Sequence, residues 1–164
     1  MSCCFGLIFY KGTKKENPDS LIADNLICKI TRSRFSHVEL VLYKNKEKDT
    51  YKCLSSSFRD KGVRLTDIDI HSGSWEILKL PESKNITLRS AFDFYEYNKN
   101  RKYDLLGLLC TLSDRLKTNN KNKLFCGELI AEILDLKLYE NQSTEIIYKY
   151  IIKESGSCQV QQQM

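Results

Sequence analysis

Between residues 35 and 80 the chain carries four short runs rich in β-branched and aromatic residues, each bounded by polar turn residues; after Pro81 the apolar spacing becomes helical. This change of period constrains the fold more than any other feature. Consecutive short strands joined by tight turns pair antiparallel, and the helices that follow must bury their apolar stripes on the resulting sheet. Phe35 to Tyr43 and Thr50 to Phe58 read as a hairpin around the Lys44-Asn-Lys-Glu-Lys48 turn, extended by Val63 to Ile70 and Trp75 to Leu80 across a His71-Ser-Gly-Ser turn. Residues 3 to 10 read as a further strand before a Gly12 turn, and Ser20 to Ile30 as a helix with Pro18 near its start. Helical spacing returns over Thr87 to Tyr97, Tyr103 to Leu112, Cys126 to Leu136 and Glu145 to Ile152. The expected class is α+β, an antiparallel sheet packed by helices.

With 164 residues and 41% apolar content the chain suits one domain over 1–154, and the Gly, Ser and Gln tail over 155–164 has little to bury and is expected to be disordered. No apolar run approaches the roughly 20 residues that cross a bilayer. Nor does the apolar start resemble a secretory signal, because its basic cluster (Lys11, Lys14, Lys15) follows the apolar stretch instead of preceding it. Cys3, Cys4, Cys28, Cys53, Cys110, Cys126 and Cys158 form no C-x-x-C pair, so reduced thiols in the cytoplasm are expected. Two histidines and scattered thiols give no reason to expect a metal site, and no cofactor motif is present. The net charge of +5 lies in loop-like lysine runs without interleaved aromatics, which fits a solvated surface better than a nucleic-acid groove. No heptad run or large apolar helix face speaks to the oligomeric state.

Two constellations could carry chemistry. In Arg34-Phe-Ser-His37-Val-Glu39-Leu, strand alternation puts His37 and Glu39 on one face, so a carboxylate can orient the imidazole and stabilise its charged form. In Lys123-Leu-Phe-Cys126-Gly127-Glu128, a cysteine opens an apolar-periodic helix. There the macrodipole and free backbone N–H groups favour a thiolate and a developing oxyanion, and Gly127 would let a substrate carbonyl approach the backbone. Taken singly, each constellation also has an ordinary structural explanation: a surface ion pair, and an inert buried cysteine.

Together, a strand His-x-Glu and a later helix-opening Cys-Gly-Glu with a hairpin sheet between them resemble the circularly permuted NlpC/P60 branch of the papain-like proteins. The resemblance covers roughly residues 5 to 152 by element order, although its motifs are short. It implies a permuted papain-like fold with Cys126 as nucleophile and His37 as general base. Glu39 fits the third polar position by its shared face, and Ser55 or Ser57 on the next strand is the alternative. Tyr103, in Lys-Tyr-Asp-Leu-Leu-Gly, resembles an aromatic that precedes the cysteine segment in the family; it would line the site and assist the oxyanion, or simply pack.

The resemblance implies hydrolysis of an amide, peptide or isopeptide bond through a Cys126 thioester, with peptide, protein or acyl substrates. A lipid-directed acyltransferase or phospholipase of the same fold, and an inactive binding module, are the other readings. The abundance of Lys, Asn and Ile suggests an AT-rich genome, and small permuted members occur in viruses and phages, which would place the protein in a host cytoplasm. In Arg59-Asp-Lys-Gly-Val-Arg64, Gly62 is expected to supply a positive φ, and Arg64 is either turn surface charge or a contact for a substrate anion. His71, in a Ser/Gly turn, is expected to be solvent-exposed, with replacement of His37 as its alternative use. Trp75 is expected to anchor the core edge.

Overall fold

A computed structural model of the chain describes residues 4, 6–12, 18–71, 74–84, 86–110, 122–136 and 142–155, and the described side chains exclude those of 18–23, 30, 109 and 110. The described elements run β1 (Gly6–Tyr10), α1 (Pro18–Thr31), β2 (His37–Asn45), β3 (Thr50–Ser57), β4 (Gly62–Ile68), β5 (Trp75–Lys79), a 3-10 turn at Glu82–Lys84, α2 (Leu88–Asn98), β6 (Lys102–Tyr103), α3 (Leu105–Cys110), β7 (Lys123–Leu124), α4 (Cys126–Ile133) and α5 (Thr144–Glu154). The class is α+β.

The seven strands among the described residues form one sheet in the order β5-β1-β2-β3-β4-β6-β7, antiparallel except for the β6–β7 pair. The hairpin expected from the sequence is β2–β3, with Leu40 opposite Leu54 and a register irregularity between Val41 and Tyr43. β4 continues it, with Ser55 opposite Arg64. Alternation along the central strands divides the core. Leu7, Phe9, Val38, Leu40, Leu42 and Leu54 pack with Leu129, Ile130, Ile147 and Ile151 from α4 and α5, while Ile8, Val41, Tyr51, Cys53 and Ile70 form a second, smaller cluster. Trp75 belongs to the rim of that second cluster, its ring 4.9 Å from that of Tyr10.

Three sequence expectations are revised. The stretch after Pro81 is not wholly helical, since Lys102–Tyr103 and Lys123–Leu124 add two-residue strands to the sheet edge. The positive φ of the β3–β4 turn falls on Lys61 (φ 63), and Gly62 is glycine for a different reason: a β-carbon there would lie 2.3 Å from the carbonyl oxygen of Arg101, the residue that leads into β6. The helix expected from Ser20 begins earlier, at Pro18, a residue whose fixed φ suits the first helical position. Residues 1–3, 5, 111–121 and 156–164 lie outside the described residues, and with them Cys3, Cys158, the end of the apolar segment expected to reach Leu112, and the tail after Ser155. Among the described residues, no helix is long and apolar enough to cross a membrane.

Candidate active site

The histidine is positioned from both sides. β2 begins at His37, opposite Tyr10 of β1, and the residues leading into it are tied down by α5. Thr144 Oγ1 donates to the Phe35 carbonyl at 2.7 Å and lies 2.8 Å from Ser33 Oγ, while the Ser36 N–H donates to the Tyr10 carbonyl at 2.9 Å. His37 Nε2 then lies 3.1 Å from Glu39 Oε1, two residues along the same strand. Glu39 is fully buried and also accepts from Arg64 Nη2, on β4, at 2.7 Å. Arg64 Nη1 continues the chain to Asp60 in the β3–β4 turn.

The cysteine segment is fixed by a separate set of bonds. The Leu124 carbonyl accepts Ser56 Oγ at 2.6 Å and the Asp104 N–H at 3.2 Å, which locks β7 to β3 two residues before the thiol. Cys126 is the first residue of α4. Phe125 precedes it in extended conformation, and Glu128 Oε2 accepts the Phe125 N–H at 3.0 Å. Phenylalanine has no side-chain acceptor, so only the glutamate half of a capping box forms. The N–H groups of the first helical turn have no partner within the helix and form the macrodipole's positive end.

These elements bring Cys126 to His37 as both a hydrogen-bond partner and a charge. Burial alone would pull the imidazole pKa down. The hydrogen bond and charge of Cys126, joined by those of Glu39, outweigh it and raise the value to about 9, so His37 is an imidazolium at neutral pH. Glu39 shows the same balance with opposite sign. Burial pushes its carboxyl up, but His37 and Arg64 hold it below the usual range. Cys126 is almost fully buried, whereas 16% of the His37 side chain reaches solvent, so access to the pair is from the imidazole side.

Of the other described thiols, Cys53 is pushed far up by burial and the charge of Glu39, Cys28 is raised by burial and Asp24, and Cys4 is a buried core residue. Cys126 is the one among them with an imidazole partner. No group of three or more His, Cys, Asp or Glu side chains among the described residues is placed to hold a metal ion.

The remaining candidates fall as follows. Tyr103, half-buried on β6, stays a neutral phenol because burial, then the charges of Cys126, Glu128, Asp104 and Asp24, raise its pKa; it therefore neighbours the thiol, with its ring 5.8 Å from that of Phe58. Ser55 does not turn to His37, and its hydroxyl donates to the Val38 carbonyl at 2.7 Å. Arg64 is neither free surface charge nor an open anion contact, being held by Glu39 and Asp60 with 21% of its side chain exposed. Gly127 does not open the backbone to a substrate on its α-carbon side. A β-carbon there would lie 1.8 Å from the Gln142 carbonyl oxygen and 2.8 Å from the Phe125 ring, so the chain's own packing fills that space. His71 is exposed and pairs with Asp49 at 3.0 Å.

Three residues escaped the sequence reading. Ser56 and Asp104 hold the Leu124 carbonyl, and nothing local in Leu54-Ser-Ser-Ser57 or Lys102-Tyr-Asp104 marks that contact. Glu128 was legible: a glutamate three residues after the residue preceding a helix is the spacing of a capping box. Burial, with Asp104 and Glu132 as like charges, raises its carboxyl to about 7 against the bond from the Phe125 N–H and the charge of Arg101. No known protein-family model matches the chain, and no curated protein matches it.

Proposed function

We propose that the chain is a cysteine hydrolase of the permuted papain-like, NlpC/P60-like kind, cleaving an amide, peptide or isopeptide bond through a thioester on Cys126. The observation that carries this reading is the alternating series Cys126, His37, Glu39: a helix-opening thiol paired with an imidazole whose far nitrogen is held by a buried carboxylate. Glu39 takes Nε2, which leaves Nδ1 for proton exchange with the thiol.

The raised pKa of His37 changes the order of events expected from a neutral general base. The proton of the pair is carried by the imidazole at neutral pH, and Cys126 Sγ makes the attack. The Sγ–C bond forms as the carbonyl π pair moves to oxygen, where α4's first-turn N–H groups and the Tyr103 hydroxyl are the nearby donors. His37 passes its proton to the leaving amine as the C–N bond breaks. Neutral His37 then takes a proton from water, whose oxygen attacks the thioester, and the thiolate–imidazolium pair is restored with release of the acid.

A second reading, a lipid-directed acyltransferase or phospholipase of the same fold, has one observation in its favour. Phe58, packed on Tyr103, is 58% exposed, and Leu105 and Leu106, directly after Asp104, are 44% and 59% exposed, an apolar border suited to an acyl chain. Incubation with a peptide amide, an isopeptide and a phospholipid, followed by acid quenching and intact-mass analysis, separates the readings. An acyl adduct on Cys126 from the amide or isopeptide supports the first, and one from the phospholipid alone supports the second. No adduct from any acyl donor, the activated p-nitrophenyl acetate included, rejects both.

A further inference from the structure

We propose that Arg64 is a positioning residue of this site, keeping Glu39 ionised, and therefore His37 oriented, in both protonation states of the imidazole; the proposal rests on the hydrolase reading above. During the reaction His37 alternates between imidazolium and imidazole. When it has given up its proton, Glu39 loses one of its two cationic partners while remaining fully buried. A buried carboxylate with no counter-ion takes up a proton, and a protonated Glu39 would hold Nε2–H only weakly and could itself donate to Nε2, so it would no longer favour the tautomer that presents Nδ1 to the thiol. The guanidinium of Arg64 supplies the charge that His37 withdraws.

The geometry is built for that service. Arg64 Nη2 and His37 Nε2 converge on the same oxygen, Glu39 Oε1, at 2.7 and 3.1 Å. The two buried polar atoms left without a partner in this group are Glu39 Oε2 and Arg64 Nε. They are the other acceptor and donor of a side-on, two-point arginine–carboxylate pair, so the spare hydrogen-bonding capacity on each residue matches the other.

The reach follows from the sheet register. Ser55 of β3 lies opposite Arg64, and Leu54 opposite Leu40, so Arg64 crosses one whole strand to meet Glu39, a span of roughly 10 Å at two inter-strand spacings. Ser55 is small and turns its hydroxyl to the Val38 carbonyl, which leaves the path clear. Asp60 holds the other arm of the guanidinium. The charged and titratable neighbours of Glu39 and Arg64 are His37, Cys126 beyond it, Asp60, and Cys53, which senses both residues and itself neighbours Asp67 and Lys52.

The test is the rate of iodoacetamide labelling of Cys126 from pH 4.5 to 9 in wild type, Arg64→Gln, Arg64→Lys, Glu39→Gln and the double variant Glu39→Gln/Arg64→Gln, with urea unfolding of each. Loss of the fixed positive charge makes the site easier to protonate. The low-pH limb of Arg64→Gln therefore moves upward by about one pH unit, and at a given pH on that limb labelling slows about tenfold. Arg64→Lys recovers to within about threefold of wild type, since it keeps the charge but not the fork. In the Glu39→Gln background, removing Arg64 changes the rate by less than about twofold, because the pathway through Glu39 is gone. Should Arg64→Gln not fold, the double variant decides: it unfolds at higher urea than Arg64→Gln if the defect is a buried carboxylate without its counter-ion, and equal instability of the two overturns the proposal. A wild-type profile in Arg64→Gln, or equal slowing with and without Glu39, overturns it as well. Wild-type Cys126 labelling like an ordinary thiol overturns instead the hydrolase reading, an outcome read from wild type alone.

Discussion

Glu128 offers a prediction whose size follows from the structure. Its carboxylate serves the Phe125 N–H, next to Cys126, at 3.0 Å, yet burial and the charges of Asp104 and Glu132 raise its pKa from 4.5 to about 7. The folded state therefore binds this proton more tightly than the unfolded state. Below pH 4.5 the group is neutral in both states and costs nothing; between 4.5 and 7 the unfolded chain ionises while the fold resists, and stability falls as pH rises. At about 1.4 kcal/mol per tenfold change in proton affinity, the full gap is worth about 3 kcal/mol above pH 7. Glu128→Gln keeps a carbonyl oxygen for the Phe125 N–H and removes the charge. It should match wild type at pH 4 and exceed it by about 2 to 3 kcal/mol at pH 8 in urea unfolding. A pH-independent difference, or a less stable variant at pH 8, would show that the ionised carboxylate is a welcome cap and that the burial argument is wrong.

Further outcomes follow from other contacts. Gly127→Ala must displace the Gln142 carbonyl 1.8 Å from the new methyl, and should cost at least about 2 kcal/mol in urea unfolding; an unchanged midpoint would contradict the packing described. Ser56→Ala removes one of two donors to the Leu124 carbonyl, so about 1 kcal/mol of stability is lost and Cys126 labelling slows; unaltered labelling would mean this tie does not position the thiol. His37, raised from 6.5 to about 9, contributes stability that is complete below pH 6.5 and lost as pH climbs through 9. The unfolding midpoint of wild type relative to His37→Ala should accordingly shrink from pH 6 to pH 9.5, and a constant difference would refute the ion pair.

The hairpin sheet was legible because Val38, Leu40 and Leu42 alternate with His37, Glu39 and Val41, and the same period-two rule paired His37 with Glu39. Sequence periodicity does not fix register between strands, which is why Arg64 read as a turn charge and Ser55 as a neighbour of the imidazole. Only the opposition of Ser55 to Arg64 and of Leu54 to Leu40 brings the guanidinium across β3 to Glu39. The β6 and β7 strands were illegible for a related reason. Two residues have no period, and Lys102–Tyr103 and Lys123–Leu124 are strands because of their partners. Gly127 illustrates a different limit: its neighbour in space, Gln142, is fifteen positions away in a segment with no pattern of its own.

The central claim is an activated thiolate–imidazole pair between Cys126 and His37. The most direct measurement is the rate of iodoacetamide labelling at Cys126 against pH, followed by peptide mass in wild type and His37→Ala. An activated pair gives rapid, selective labelling of Cys126 at pH 6 that is lost in His37→Ala. Slow labelling that rises only near pH ~8.5, as for a free thiol, and is the same in both proteins, would contradict it.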